Sequence, residues 1–179
     1  MAVFETLRKF FVPPQAVVPE SIEPAAPTTY SVRPLTGEQL EEVLRLNLRC
    51  FRNGENYTKH TFAFLLNEPG TISYRVVDAA DRMVGFAFVM INRNGAAHLT
   101  TIGVAPEHRR RGLAALLLEH LEGALIAKQI QTIVLEVRVG NADAQELYRR
   151  AGYNVVQRIS NYYNNGEDCF LMMKSLVVD

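Results

Sequence analysis

Cysteine is scarce. Cys50 and Cys169 are the only two in 179 residues, far apart and with no CxxC partner, so they supply neither a disulfide framework nor a zinc site. Both read as reduced core thiols. An excess of one charge is also missing: 19 lysines and arginines balance 19 aspartates and glutamates, leaving no bulk basic field to hold DNA, RNA or acidic lipid. Any anion site must be local. No run of about 18 apolar residues appears, which argues against a membrane span. The first residues carry Glu5, Arg8 and Lys9 where a secretory signal needs an unbroken apolar stretch. The expectation is a cytoplasmic protein, and no internal repeat suggests an array.

What is present is the composition of an ordinary globular domain, 48% hydrophobic and 21% charged, at a length that fits one domain and excludes a second enzyme domain. Pro13, Pro14, Pro19, Pro24 and Pro27 crowd one short stretch of linker composition. Ahead of it Val3, Phe4, Leu7, Phe10 and Phe11 share one face of a short helix. That helix is expected to dock on its own or a neighbouring copy of the domain; disorder and weak membrane or partner contact are the alternatives. Residues 1–29 thus form an appendage and 30–179 the domain proper.

Within the domain, residues 30–33 read as a strand. Thr36 with Gln39 three residues on is a capping box opening a helix to about Cys50. A short helix over 58–66 precedes strands at 72–78, 83–92 and 96–104, the first two flanking an Ala-Ala-Asp turn. A strong helix over 113–128, an apolar strand over 132–138, a helix over 142–151 closed by Gly152, and strands at 155–160 and 169–176 complete the order. The expected class is α/β in the α+β sense, a mixed sheet with helices packed on it.

The most informative segment joins strand to helix: Ile102-Gly103-Val104-Ala105-Pro106-Glu107-His108-Arg109-Arg110-Arg111-Gly112-Leu113-Ala114. A helix start offers unpaired N–H groups and the positive end of its dipole, Gly112 lets an anion approach the backbone, and arginines add charge-assisted hydrogen bonds. A pyrophosphate fits that description, as would a solvated basic helix start or a nucleic-acid contact. The spacing is neither a P-loop nor a dinucleotide GxGxxG, so nucleotide hydrolysis and hydride transfer lose support.

Arg109-x-x-Gly112-x-Ala114, preceded by a strand ending Ile-Gly-Val and by Pro106, resembles the signature of the GCN5-related N-acetyltransferases (GNAT). The resemblance covers about residues 30 to 176. It implies a GNAT fold, a mostly antiparallel sheet of about seven strands with about four helices, and a loop holding the pyrophosphate of acetyl-CoA. Residues 135–148, then Ala151-Gly152-Tyr153, resemble the RimI-type protein N-terminal acetyltransferases. Asn161-Tyr162-Tyr163, Gly166-Glu167-Asp168 and Glu55-Asn56-Tyr57 resemble both these and the archaeal and eukaryotic N-terminal acetyltransferase catalytic subunits. The proline-rich extension is a departure from the bacterial pattern.

Acetyl transfer needs one group to take a proton from the attacking amine and one to return a proton to the departing thiolate. Tyr148 suits the second task, because the family places the matching tyrosine beside the thioester sulfur; its bland reading is a core tyrosine. Glu136 suits the first, since a carboxylate on the apolar strand Ile133 to Val137 is costly to bury without purpose. The bland reading is a carboxylate paired with an arginine, and Glu55 and His98 are competing bases. His98 could relay a proton or be a satisfied structural histidine; His60, His108 and His120 look like surface or packing residues. By resemblance, Glu55, Tyr57, Tyr162 and Tyr163 line the slot for a flexible peptide N-terminus, and Asn141 bonds the pantetheine arm or the neighbouring loop. The backbone of Ile102 to Val104 is expected to bind the cosubstrate as an added strand would, an N–H near Val104 polarising the thioester carbonyl.

The reading is direct acetyl transfer from acetyl-CoA, with no metal and no covalent enzyme intermediate, to a protein or peptide α-amine. That amine ionises near 7.7–8 and needs only a weak base. Acetylation of a small amine (polyamine, aminoglycoside or amino acid) is the alternative, and a CoA-binding module without turnover is the alternative from another class. The intact Glu136 and Tyr148 argue against such a module.

Overall fold

The computed structural model describes residues 22–51 and 56–177. The expected helix around Val3 to Phe11 and the candidate Glu55 lie outside these residues.

Thirteen elements follow one another along the described chain, two of them single 3₁₀ turns. In chain order the strands are β1 (Tyr30–Pro34), β2 (Thr71–Asp78), β3 (Met83–Ile91), β4 (Ala97–Val104), β5 (Thr132–Arg138), β6 (Asn154–Ile159) and β7 (Cys169–Ser175). The helices are α1 (Leu40–Cys50), α2 (Lys59–Asn67), α3 (Leu113–Ala127) and α4 (Ala142–Arg150). The capping box is present, Gln39 Oε1 accepting from the Thr36 N–H at 3.0 Å. It opens a 3₁₀ turn, Gly37–Gln39, rather than the α-helix itself, which begins at Leu40.

The strands form one seven-stranded sheet in the order β1-β2-β3-β4-β5-β7-β6. Every neighbouring pair is antiparallel except β4 and β5. The central β3, Met-Val-Gly-Phe-Ala-Phe-Val-Met-Ile, lacks the alternation of a half-solvated strand because both its faces are covered. Phe86 and Phe88 point to one face, where Phe62 of α2 lies with ring centroids at 6.0 and 5.4 Å. Gly85 points to the other, where α3 comes so near that an added Cβ would stand 3.4 Å from Leu117 Cδ1. Helix α3 is apolar nearly all round, with Leu113, Leu117, Leu118, Leu121 and Leu125 buried, as suits a helix laid across β2, β3 and β4.

One feature of the sheet positions the site. The parallel pair β4–β5 holds register only at Ala97↔Ile133 and His98↔Val134. Beyond His98 the two strands diverge, so the C-terminal halves of β4 and β5 leave a wedge in the middle of the sheet. A bulge accompanies the divergence: between Leu99↔Val89 and Thr101↔Phe88, Thr100 has no partner on β3. Bulges of this kind re-aim side chains next to active sites.

Candidate active site

At the vertex of the wedge stand two of the three candidate bases of the sequence, Glu136 and His98, and they are partners. His98 Nε2 lies 2.7 Å from Glu136 Oε2, with the side chains 7% and 9% exposed. Register explains the meeting: His98 is level with Val134, and two residues further along β5 brings Glu136 onto the same face. The carboxylate expected to be an isolated base or an arginine partner is thus held by the histidine.

The wedge offers backbone as well as side chains. Ala105 donates its N–H to Val84 O at 2.8 Å, toward β3. Strand alternation therefore turns the peptide groups of Val104 and Ile102 the other way, toward the wedge, where an extended ligand can pair with them. Gly103, between them, serves packing: a Cβ there would lie 2.8 Å from the Phe86 ring and 3.1 Å from Cys50 Sγ.

At the wide end of the wedge, α3 begins at Gly112, whose φ of 77° is left-handed and whose position has open space where a Cβ would stand. No side chain caps α3. The first-turn N–H groups of Leu113, Ala114 and Ala115, which a helix leaves without internal partners, are therefore available to an anion.

The arginine side chains are placed differently from the sequence reading. Arg109 donates to two carbonyls, Cys50 O at 3.0 Å and Val104 O at 3.3 Å, tying the end of α1 to the end of β4. Arg111 donates to Ala26 O at 3.2 Å, to the Tyr30 hydroxyl at 2.6 Å and to Ala25 O. Only Arg110 reaches outward, 82% exposed, to Asp143 on the first turn of α4 at 3.1 Å. In this arrangement the loop presents backbone N–H groups and one outward guanidinium, while the other two arginines brace it.

Helix α4 carries Tyr148, and three residues orient it. Asn141, expected at the pantetheine arm or the neighbouring loop, caps the helix, its Oδ1 accepting from the Ala144 N–H at 3.1 Å. Gln145, which the sequence reading passed over, donates from Nε2 to the carbonyls of Arg138 and Val139 at 2.9 and 2.8 Å, pinning α4 to the end of β5. One turn later Tyr148 is 7% exposed, its ring packed on Tyr153 at 5.7 Å. Burial pushes its phenol above the ordinary tyrosine value, so it stays protonated. Burial also lifts the Cys50 thiol to about 12, leaving it a poor nucleophile at neutral pH.

The tyrosines of the expected peptide slot divide. Tyr57 is buried and donates its hydroxyl to Thr100 O at 3.0 Å, so it satisfies the bulged carbonyl of β4. Tyr163 lies against Arg138, whose Cζ stands 3.8 Å from the ring centroid, and Tyr162 meets it edge-on at 5.0 Å. Arg138 also pairs with Glu167, whose other oxygen accepts the Gly140 N–H at 2.9 Å. That N–H bond, with the arginine behind it, holds the Glu167 carboxyl below its usual value despite the opposing effect of burial. Because Arg138 and Glu136 alternate onto the same face of β5, the Tyr163 wall and the His98–Glu136 pair flank one surface. His108 is a packing residue, 4% exposed, and Cys50 is only half-buried.

Among the described residues no three His, Cys, Asp or Glu side chains cluster as a metal site, and no helix is long and apolar enough to cross a membrane.

The wedge and the uncapped helix start can be set beside known proteins. Residues 40–153 match the family model described as acetyltransferase (GNAT) family. The ribosomal-protein-bS18-alanine N-acetyltransferase of Salmonella typhimurium is 40% identical over 97 residues, which span 52% of this chain and 65% of that enzyme. An N-alpha-acetyltransferase of Saccharolobus solfataricus is 28% identical over 161 residues, 82% of this chain and 93% of the relative. Among solved structures, the ribosomal-protein-S18-alanine N-acetyltransferase of Escherichia coli superposes with a TM-score of 0.76 at 27% identity, covering 84% of this chain and 96% of the other. The match runs from α1 through the opened β4–β5 pair and the glycine-led start of α3 to Tyr153, and by it this chain belongs to the GNAT acetyltransferase family.

Proposed function

We propose that the protein moves acetyl from acetyl-CoA directly to the α-amine of a protein or peptide N-terminus. The observation that carries this is the His98–Glu136 pair at the wedge vertex, on the β5 face that also bears the Arg138–Tyr163 wall. Peptide backbone entering along that face meets flat aromatic surface and then a carboxylate.

Acetyl-CoA fits the residues present. The α3 start takes the pyrophosphate on the Leu113, Ala114 and Ala115 N–H groups, with Arg110 adding charge, and the peptide groups of Ile102 and Val104 receive the pantetheine arm. The Val104 N–H polarises the thioester carbonyl. Glu136, held by His98, accepts through a water the proton that the amine loses as its nitrogen bonds to the carbonyl carbon. Tyr148 gives its proton to the sulfur as the C–S bond breaks. An α-amine near 7.7–8 asks little of the base, whereas a lysine amine near 10.4 asks more. Dimer or partner docking through the part of the extension ahead of Ala25, with the cytoplasm as the working compartment, completes the reading.

The test is CoA thiol release with a panel of peptides differing in their first two residues, beside polyamines, aminoglycosides and free lysine. Turnover with a subset of peptides supports the reading. Reaction with small amines alone would leave the cosubstrate site standing and overturn the substrate class.

A further inference from the structure

Residues 25–30 precede the segment that the family model matches, yet they are bound into the loop ahead of α3. The Ala25 N–H donates to Glu107 O at 2.9 Å. Both terminal nitrogens of Arg111 are committed to this strap: one to Ala26 O and the Tyr30 hydroxyl, the other to Ala25 O. The Tyr30 hydroxyl accepts from Arg111 and so donates its own proton onward, to His108 Nδ1 at 2.9 Å. The two rings meet edge-on at 5.8 Å. Burial holds His108 below the ordinary imidazole value, with Glu107 opposing and Arg111 assisting, which suits a neutral ring with Nδ1 as acceptor. From the other side Glu107 takes the Arg49 guanidinium on both carboxylate oxygens at 2.7 Å, fastening the loop to α1.

Arg110 and Gly112, the residues on either side of Arg111, are both at positive φ, 61° and 77°. Glycine adopts that geometry freely, but for an arginine it is strained by about 1–2 kcal/mol and needs support from its surroundings. The strap is next to it, on the side of Arg111.

We propose that residues 25–30 are a positioning strap for the acetyl-CoA site. They fix Arg111 so that the Arg110–Gly112 backbone and the α3 start present their N–H groups in the geometry a pyrophosphate needs. Arg111 is then a positioning residue rather than a phosphate ligand. This rests on the reading of the loop as the pyrophosphate site and extends it to a segment outside the matched family region.

The experiment uses the full chain with Tyr30→Phe, Ala25→Pro (which removes the N–H given to Glu107 and sets the ring against that carbonyl), Arg111→Gln and the Tyr30→Phe/Arg111→Gln double variant. CoA affinity is measured by calorimetry, and acetyl-CoA KM and kcat at saturating peptide. The strap predicts that Tyr30→Phe and Ala25→Pro each weaken CoA binding by about fivefold or more and raise acetyl-CoA KM in step. kcat and peptide KM stay within about twofold, because the chemistry is untouched. The double variant binds no more weakly than Arg111→Gln, the two residues acting as one unit. Weak binding in Arg111→Gln with wild-type affinity in Tyr30→Phe and Ala25→Pro would overturn the proposal and make Arg111 a direct ligand. Wild-type affinity in all four would overturn it too. CoA affinity needs no peptide, so a failure of the α-amine reading, seen as absent peptide turnover, is distinguishable from a failure of the strap.

Discussion

Tyr148 and Tyr153 provide an internal control on the proposed acid. Their rings touch at 5.7 Å, they are 7% and 1% exposed, and burial raises both phenols. No hydrogen-bond partner reaches the Tyr148 hydroxyl among the described residues, and the Tyr153 hydroxyl is buried near Glu122 without a well-formed bond. Replacing either by phenylalanine removes one oxygen and keeps the ring. Tyr148→Phe forfeits no internal hydrogen bond, so its stability should stay within about 0.5 kcal/mol, a shift of about 2 °C or less in Tm for a chain this size. Tyr153→Phe removes a poorly satisfied buried hydroxyl and should leave stability equal or higher by about 1 kcal/mol. The rates should separate. Loss of a general acid costs about 10²–10⁴-fold, or about 2.7–5.4 kcal/mol of barrier at 1.36 kcal/mol per decade. Tyr148→Phe should therefore fall by at least about a hundredfold in kcat/KM, and Tyr153→Phe by less than about threefold. Thermal melts and thiol-release kinetics on both variants read this out. A Tyr148→Phe enzyme within about fivefold of wild type, or equal losses in both variants, would refute the assignment.

Glu136→Gln keeps the side chain's shape and removes the proton acceptor; kcat should drop about a hundredfold or more with acetyl-CoA KM nearly unchanged, measured at saturating peptide. Gly103→Ala forces a methyl to 2.8 Å from Phe86 and 3.1 Å from Cys50. Overpacking of this kind costs about 1–3 kcal/mol, so Tm should fall by roughly 2–12 °C. Glu167 has its folded-state value depressed, so its stabilisation is fully present above the ordinary carboxylate value of about 4.3 and fades as pH falls through the lower folded value. The Tm difference between wild type and Glu167→Gln should accordingly be flat from about pH 5.5 to 8 and shrink toward zero in acid.

Elements with a strong local period were legible from sequence: β5 matches its expected span residue for residue, because the alternation of Ile133, Leu135 and Val137 against polar or solvent-facing neighbours is self-contained. The family resemblance singled out Glu136, Tyr148 and the loop before α3 as candidates. Partnerships across the fold were not legible. Arg111 meets carbonyls 85 and 86 residues away, Tyr57 a carbonyl 43 residues away, and His98 a carboxylate 38 residues away. A local reading sees three arginines beside a glycine and assigns them all to the anion, while the tertiary structure commits two of them to backbone. Gln145 had a usable signal that went unread: it sits three residues before Tyr148, on the same buried stripe of α4.

The proposed acceptor is an α-amine. The most direct measurement offers the enzyme a single peptide carrying both a free N-terminus and an internal lysine, with spermidine in the same tube, and locates the acetyl group by fragment mass spectrometry. The acetyl group should appear on the α-nitrogen and not on the lysine, and an N-terminally blocked version of the peptide should give no product. Acetyl on the lysine, or on spermidine alone, would contradict the proposal.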